Sequence, residues 1–421
     1  MISYICVAKT QHYKNFSFEK VWQAGGGVDG IVTYRITNSS GRTVSIRFLY
    51  KGKNIMKKTL AAVAVLGAFA GSALAADVTL YGRVNLGVNY LHTDDGSNTE
   101  SSFSLNSGDA SASRFGLKGS EQISEGLTVG FQLEQRFNAD DGRNSESDKA
   151  FRGESRLYVA TDFGTLHMGR FGALDSAAGS LDLVGGISSM GTGYGELIGD
   201  QGRVFKTHGR MDNSIAYTSP EFAGVTVSAM TSLKNNTTNG KFDGKYEEFK
   251  GEEGSSEADR YYGLGVKGQW GALGATFVVS ELDYGSEATN AGKAGKDDPI
   301  NYTAGVNYDF GFAKAFLAAN YYDQGKTEAN VEQSQWGVST SVAAPLAAGT
   351  LEAAVGYGVQ TKETKGADDV DTKVLNIGVA YKYPLSKRTY VYAGAGYDQE
   401  KTDGEHKVKT VEAISGIVHS F

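Results

Sequence analysis

From residue 76 onward, apolar and polar positions alternate with period two in runs of about ten residues. In Val78–Tyr90 one face reads Val78, Leu80, Gly82, Val84, Leu86, Val88 and Tyr90, and the other reads Thr79, Tyr81, Arg83, Asn85, Gly87 and Asn89. Arg260–Trp270 splits into Tyr262, Leu264, Val266, Gly268 and Trp270 against Tyr261, Gly263, Gly265, Lys267 and Gln269. Lys373–Tyr383 splits in the same way, with Leu375, Ile377, Val379, Tyr381 and Tyr383 on its apolar face. Successive side chains of a strand point to opposite faces, so each run predicts a strand with one apolar and one small or polar face. A soluble sandwich would fill its interior with large apolar side chains, and these runs offer too few for that. A closed membrane barrel inverts the arrangement. Lipid takes the apolar face, water fills the lumen, and closure leaves no unpaired edge in hydrocarbon.

The connections between runs fall into two classes. Short ones are expected near Ile123–Glu125, Phe163–Gly164, Pro220–Glu221, Gly271, Phe310–Gly311, Pro345–Ala347 and Pro384–Lys387. Three of the chain's four prolines sit in them, where a missing N–H costs no ladder bond. Long polar ones are expected at His92–Ser111, Ala139–Arg152, Gly172–Gly209, Lys234–Asp259, Gly285–Pro299, Asp323–Glu332, Lys362–Asp371 and Glu400–Lys407. Seven short turns and eight long loops join sixteen strands, with both termini on the short-turn side. The fold class expected is therefore all-β, a sixteen-stranded antiparallel transmembrane barrel. No run of 18 apolar residues follows residue 75, so a membrane-spanning helix is not expected.

The first 75 residues read differently. Met56-Lys57-Lys58 is a short basic stretch, Thr59–Ala70 is apolar and small, and Ala73-Leu74-Ala75 is a cleavage site of small residues. That pattern predicts a secretory signal peptide over 56–75. Residues 1–55 show no clear period, and nothing should precede a cleaved signal. Met56 is therefore expected to be the true start, 1–55 an upstream extension, and 76–421 the barrel.

Removing 1–75 changes the charge. That segment holds ten basic and two acidic residues of the chain's 41 and 48, which leaves 31 against 46, a net charge of −15. Such acidity argues against a nucleic-acid partner. The sole cysteine, Cys6, leaves too, and with it any disulfide or cysteine metal site. The histidines show no metal spacing, no nucleophile triad is evident, and no cofactor is expected.

Ser113–Glu121, read SRFGLKGSE, with Gly126-Leu127 and Phe131–Glu134 after it, resembles the second hairpin of Gram-negative general porins. Phe163–Arg170, read FGTLHMGR, resembles their fifth strand, and Arg210–Pro220, read RMDNSIAYTSP, their sixth. Leu385–Thr389 and the terminal Gly416–Phe421 complete a resemblance that covers essentially all of 76–421. The resemblance implies a homotrimer in the outer membrane, embedded among lipid and lipopolysaccharide, that passes small hydrophilic solutes by diffusion. It also implies that Phe421 is the aromatic end recognised by the barrel-assembly machinery.

By the same resemblance, the third long loop, Gly172–Gly209, folds into the barrel and narrows it. A sixteen-stranded lumen is wide, so a constriction needs an element inside it. Asp175, Asp182, Glu196 and Asp200 are the acidic candidates on that loop. Arg83, Arg114, Lys118 and Arg156 face the lumen by parity, and motif matching adds Arg170 and Arg210. Strict parity would turn Arg170 toward lipid, so a local bend is expected there. Basic wall and acidic loop would create a transverse field. If all four carboxylates reach the constriction the charges nearly cancel there, and the acidic outer loops give a weak cation preference. A passive diffusion channel is the reading adopted. A substrate-specific porin is the main alternative. A structural or adhesive barrel is less favoured because small barrels have few strands, and a barrel enzyme because no Ser/His pair projects outward.

Overall fold

The computed structural model describes residues 5–13, 16–24, 30–38 and 43–50 as backbone. It describes 78–145, 149–181, 183–191, 193–199, 201–234, 253, 258–284, 297–328 and 331–421 with side chains, those of 201, 327 and 328 excepted. The signal segment 56–75 and most of the loops at 234–259 and 285–299 lie outside the described residues. The chain divides into two compact units, 1–74 and 75–421.

In the first unit, β1 (Ile5–Tyr13), β2 (Phe16–Ala24), β3 (Gly30–Asn38) and β4 (Thr43–Tyr50) form an antiparallel sheet in chain order. Period counting missed these strands. The runs GIVTYRITN and TVSIRFLY are rich in β-branched residues without clean alternation, and such residues favour strands whatever their period.

The second unit is a closed antiparallel barrel whose strands follow one another around the wall in chain order. It starts with β5 (Thr79–Asp94), β6 (Thr99–Ser107), β7 (Arg114–Ser124) and β8 (Leu127–Arg136). Then come β9 (Glu154–Thr161), β10 (Gly164–Gly172), β11 (Arg210–Thr218) and β12 (Val225–Ser232). Next are β13 (Arg260–Trp270), β14 (Leu273–Asp283), β15 (Ile300–Asp309) and β16 (Lys314–Glu328). β17 (Val331–Leu346), β18 (Gly349–Thr364), β19 (Val370–Pro384), β20 (Thr389–Thr402) and β21 (Lys407–Ser420) complete it. β6 and β7 both pair with β5, β6 along Leu86–Asp94 and β7 along Thr79–Arg83. They are two halves of one traverse, interrupted at 108–113, so the seventeen segments make sixteen crossings. β21 pairs with β5 from Ser420↔Arg83 to Lys409↔Asp94, which closes the cylinder.

All seven short turns fall where the sequence places them. Of the eight long loops, 139–152, 172–209, 234–259 and 285–299 agree with the gaps between strands. The other four are corrected. His92–Ser111 reduces to a four-residue hairpin at Asp95–Asn98, and Glu400–Lys407 to Asp403–His406. Lys362–Asp371 reduces to Lys365–Asp369, and Asp323–Glu332 to 329–330. Beyond the bilayer both faces of a hairpin meet water, so a change to polar composition does not end the backbone ladder. β16 to β19 accordingly run 15 or 16 residues each.

Burial matches the predicted parity. In β15, Tyr302, Val306 and Tyr308 are exposed while Asn301, Thr303 and Asn307 are buried. In β19, Ile377 and Val379 are exposed while Asn376 and Ala380 are buried. Large apolar side chains thus lie on the outer wall around the barrel, the surface lipid covers. No helix among the described residues is long and apolar enough to cross a membrane.

The lipid assignment is testable at Val306, mid-strand on the outer wall. Val306→Arg should lower the unfolding free energy in bilayers by about 2–4 kcal/mol. A change below about 0.5 kcal/mol in urea titrations would place that face in water.

Candidate permeation constriction

The chain leaves β10 at Gly172 and re-enters the wall at Arg210. Between them lie 37 residues, 173–209, whose described apolar side chains pack on the inward faces of β11 to β21. Phe171, Leu174, Leu183, Val184, Ile187, Val204 and Phe205 join wall residues such as Met211, Tyr261 and Val278 in one apolar cluster. Met190, Tyr194 and Ile198 join Ala354, Ala380, Tyr392, Ile414 and Val418 in a second. The loop therefore builds the apolar core inside the barrel, which neither wall nor loop could form alone. This is the inward-folded third loop.

Polar contacts pin it along its length. At its root Asp175 is fully buried. His208 Nδ1 lies 2.6 Å from its carboxylate, and Asn301, Ser280 and Tyr261 donate to it at 2.6, 3.0 and 3.1 Å. Ser180 donates from its backbone and its hydroxyl to Glu154, both at 3.2 Å. Tyr194 donates to Glu352 at 2.7 Å, and Arg203 pairs with Asp398 at 2.7 Å. The side-chain amides of Asn307 and Gln335 donate to the carbonyls of Gly186 and Val204.

The wall makes room by omitting side chains. A Cβ on Gly337 would collide with the Val204 carbonyl, and one on Gly378 with the backbone of Gly199. Glycine thus serves the inner wall as well as the loop, which accounts for part of its abundance in the barrel.

Where the loop leaves the wall uncovered, a polar cavity of about 720 Å³ remains, lined by Arg83, Arg114, Arg136, Arg210, Glu134, Glu154, Asp109 and Ser111 among others. Arg114 and Arg136 share Glu134, at 3.5 and 3.6 Å. Arg156 and Arg210 flank Glu154, at 3.5 and 4.0 Å. Arg83 donates to Ser111 at 2.6 Å. The side chains of Glu134 and Glu154 are 6% and 2% exposed, those of Arg114 and Arg136 20% and 17%. The guanidinium groups of Arg114 and Arg136 are thus more exposed than the carboxylate they share, while Glu134, Glu154 and Asp109 also line the cavity.

The residues singled out in the sequence take up several distinct positions. Arg83, Arg114 and Arg210 line the cavity. Lys118 is exposed on the inward face of β7, its Nζ 5.3 Å from the centre of the Tyr81 ring. Arg156 is inward too, bonded to Gln132 and His167. The bend expected at Arg170 exists as a bulge, where Asp212 and Asn213 oppose that one residue, with Asn213 at φ 48°. Arg170 pairs there with Asp212 and the Arg152 carbonyl, and it is not among the residues lining the cavity. Glu196 is exposed on the loop tip. Asp175 is the clear correction: it points into the wall, because three wall donors and His208 satisfy it there. Asp182 and Asp200 lie outside the described residues. Phe421 exchanges backbone bonds with Gly82 at 3.0 and 3.1 Å and so seals the seam. Arg136 went unnoticed, although it continues the inward parity of Gln132 and Glu134.

A family profile described as Gram-negative porin matches residues 61–403. An outer membrane porin protein of Bordetella pertussis is 28% identical over 406 residues, covering 87% of this chain and all of the relative. Outer membrane porin protein 32 of Delftia acidovorans is 28% identical over 352 residues, covering 82% and 90%. Among solved structures, the anion-selective porin from Comamonas acidovorans superposes with a TM-score of 0.63 at 22% identity, covering 82% of this chain and all of that one. This chain belongs to the Gram-negative porin family. It is an outer-membrane β-barrel, and its water-filled interior serves as a passive diffusion channel.

The placement of Asp175 has a measurable consequence. Asp175→Ala should destabilise the loop by about 3–5 kcal/mol, because it strands buried donors, and thermal unfolding would register this. The reversal potential in a salt gradient should stay where it was, since the carboxylate does not face the cavity. A shift toward anions in this variant would mean that Asp175 does face the permeation path.

Proposed function

We propose that the channel favours small hydrophilic anions over cations at its constriction. The observation that carries this reading is the cavity wall, where Arg83, Arg114, Arg136 and Arg210 gather and the carboxylates of Glu134 and Glu154 that pair with three of them are nearly buried. The expected cation preference required all four loop carboxylates to reach the constriction, and Asp175 is turned away from it. Charges on outer loops are screened within about 8–10 Å at physiological salt, whereas groups in a narrow passage between protein walls are screened less. The basic wall therefore outweighs the acidic exterior. Lys118, exposed on the same inward wall, extends the positive surface.

Trimeric assembly is part of the same reading. Ala393 faces Ser415, and Ala395 faces Ala413, on the outer side of β20 and β21, all four exposed. Beside them lie Val88 and Tyr90 of β5. A flat patch of small residues suits a repeated contact that closes by rotation, and Phe421, at the edge of that seam, is suited to reading by the assembly machinery. The segment 56–75 is taken as the signal peptide and 1–55 as lying upstream of the secreted channel. In support, 87% of the chain covers the full length of the Bordetella relative.

Reversal potentials across planar bilayers test the selectivity. A tenfold salt gradient should give the sign of an anion-selective pore at low and high salt. Arg114→Gln combined with Arg136→Gln should reduce the anion-to-cation permeability ratio several-fold. A cation-selective sign in the parent protein would refute the reading. Native electrophoresis in mild detergent should give a trimer, and monomers alone would count against that assembly.

A further inference from the structure

We infer that Glu412 is a positioning residue of the constriction, the carboxylate that ties the tip of the lumen-crossing loop to the seam where the first and last strands close the barrel. Glu412 sits on the inward face of β21 and has no exposed surface. A buried carboxylate at this depth demands compensation. Among the described residues it comes from hydrogen-bond donors rather than an ion pair. The backbone N–H of Glu196 donates to both oxygens at 2.9 and 3.1 Å, and that of Leu197 to Oε2 at 2.8 Å. Asn89 Nδ2, from β5, donates to Oε1 at 2.6 Å.

The loop is shaped around this group. Gly195 has φ +59°, and a Cβ there would collide with the Glu412 carboxylate. With that turn, successive N–H groups form a concavity around one anion. The Gly195 N–H itself donates at 2.7 Å to the carbonyl of Asp109, inside the interruption between β6 and β7. The broken strand and the last strand therefore grip the tip from two sides, and both Gly195 and Asp109 line the cavity.

Three parts of the chain far apart in sequence meet at Glu412: β5, the loop tip and β21. Glu412 stands opposite Leu91 of β5, two positions from the Asn89↔Ile414 pair, so its bond to Asn89 forms across the closing seam. Seating of the tip and closure of the barrel thus share this contact. The same carboxylate then fixes how far the tip stands from Arg83 and Arg114, and so the width of the passage.

The proposal rests on the lumen being the permeation path, but its test is separate from that of ion preference. Single-channel conductance and the uptake of graded uncharged sugars are read for Glu412→Ala and for Gly195→Val. The second variant alters the loop side of the contact and leaves every charge in place. Both should raise conductance about 1.5-fold or more and admit larger sugars, and because Gly195→Val changes no charge, its rise in conductance reports the width of the passage. Parental conductance in both variants would overturn the inference. So would a Glu412→Ala channel altered only in reversal potential, which would make Glu412 a charge and not a clamp. Should Glu412→Ala fail to assemble, conductance of Gly195→Val decides by itself.

Discussion

Hydrocarbon offers no partner to a backbone N–H or C=O, so a sheet that crosses it must close on itself. That closure, made here by β5 against β21, constrains every other part of the barrel. Sixteen crossings enclose a lumen too wide for side chains alone to fill. The apolar surface that would be core in a soluble protein is turned outward to lipid. The interior must be organised by something other than the packing of wall against wall, and residues 173–209 meet that need.

The loop is held by complementary omission and addition. The wall omits side chains at Gly337 and Gly378, where loop backbone must approach. It adds buried carboxylates at Glu154, Glu352, Asp398 and Glu412, where loop donors arrive. A buried carboxylate with several good donors fixes position, and losing one donor leaves it costly. Acidic residues therefore hold the loop in place, and in the proposed reading the arginines of the cavity wall set what a solute meets.

The wall was largely legible in the sequence because strand parity is a local rule. Tyr81, Arg83, Asn85 and Asn89 could be turned inward by counting from Val78; Asn85 and Asn89 are buried and Tyr81 and Arg83 line the cavity. The last third was misjudged where hairpins run beyond the bilayer, since β18 and β20 stay paired through polar residues such as Gln360–Thr364 and Gln399–Thr402. Within the loop no period applies. Whether Asp175 faces water or wall depends on Tyr261, Ser280 and Asn301, which lie 86 to 126 residues away and carry no sign of the contact in their own neighbourhoods. Glu412 was hidden for the same reason. Its parity was readable, and its partners at 196 and 197 were not.

The central claim is that the loop's acidic root is sealed into the wall while the guanidinium groups face permeating water. Single-cysteine channels in a background lacking Cys6, the chain's only cysteine, test this directly. A negatively charged thiosulfonate is applied to open channels carrying Arg114→Cys or Asp175→Cys. The account predicts a stepwise fall in current for the first and no reaction in the folded second. Rapid modification of Asp175→Cys with no response from Arg114→Cys would contradict it.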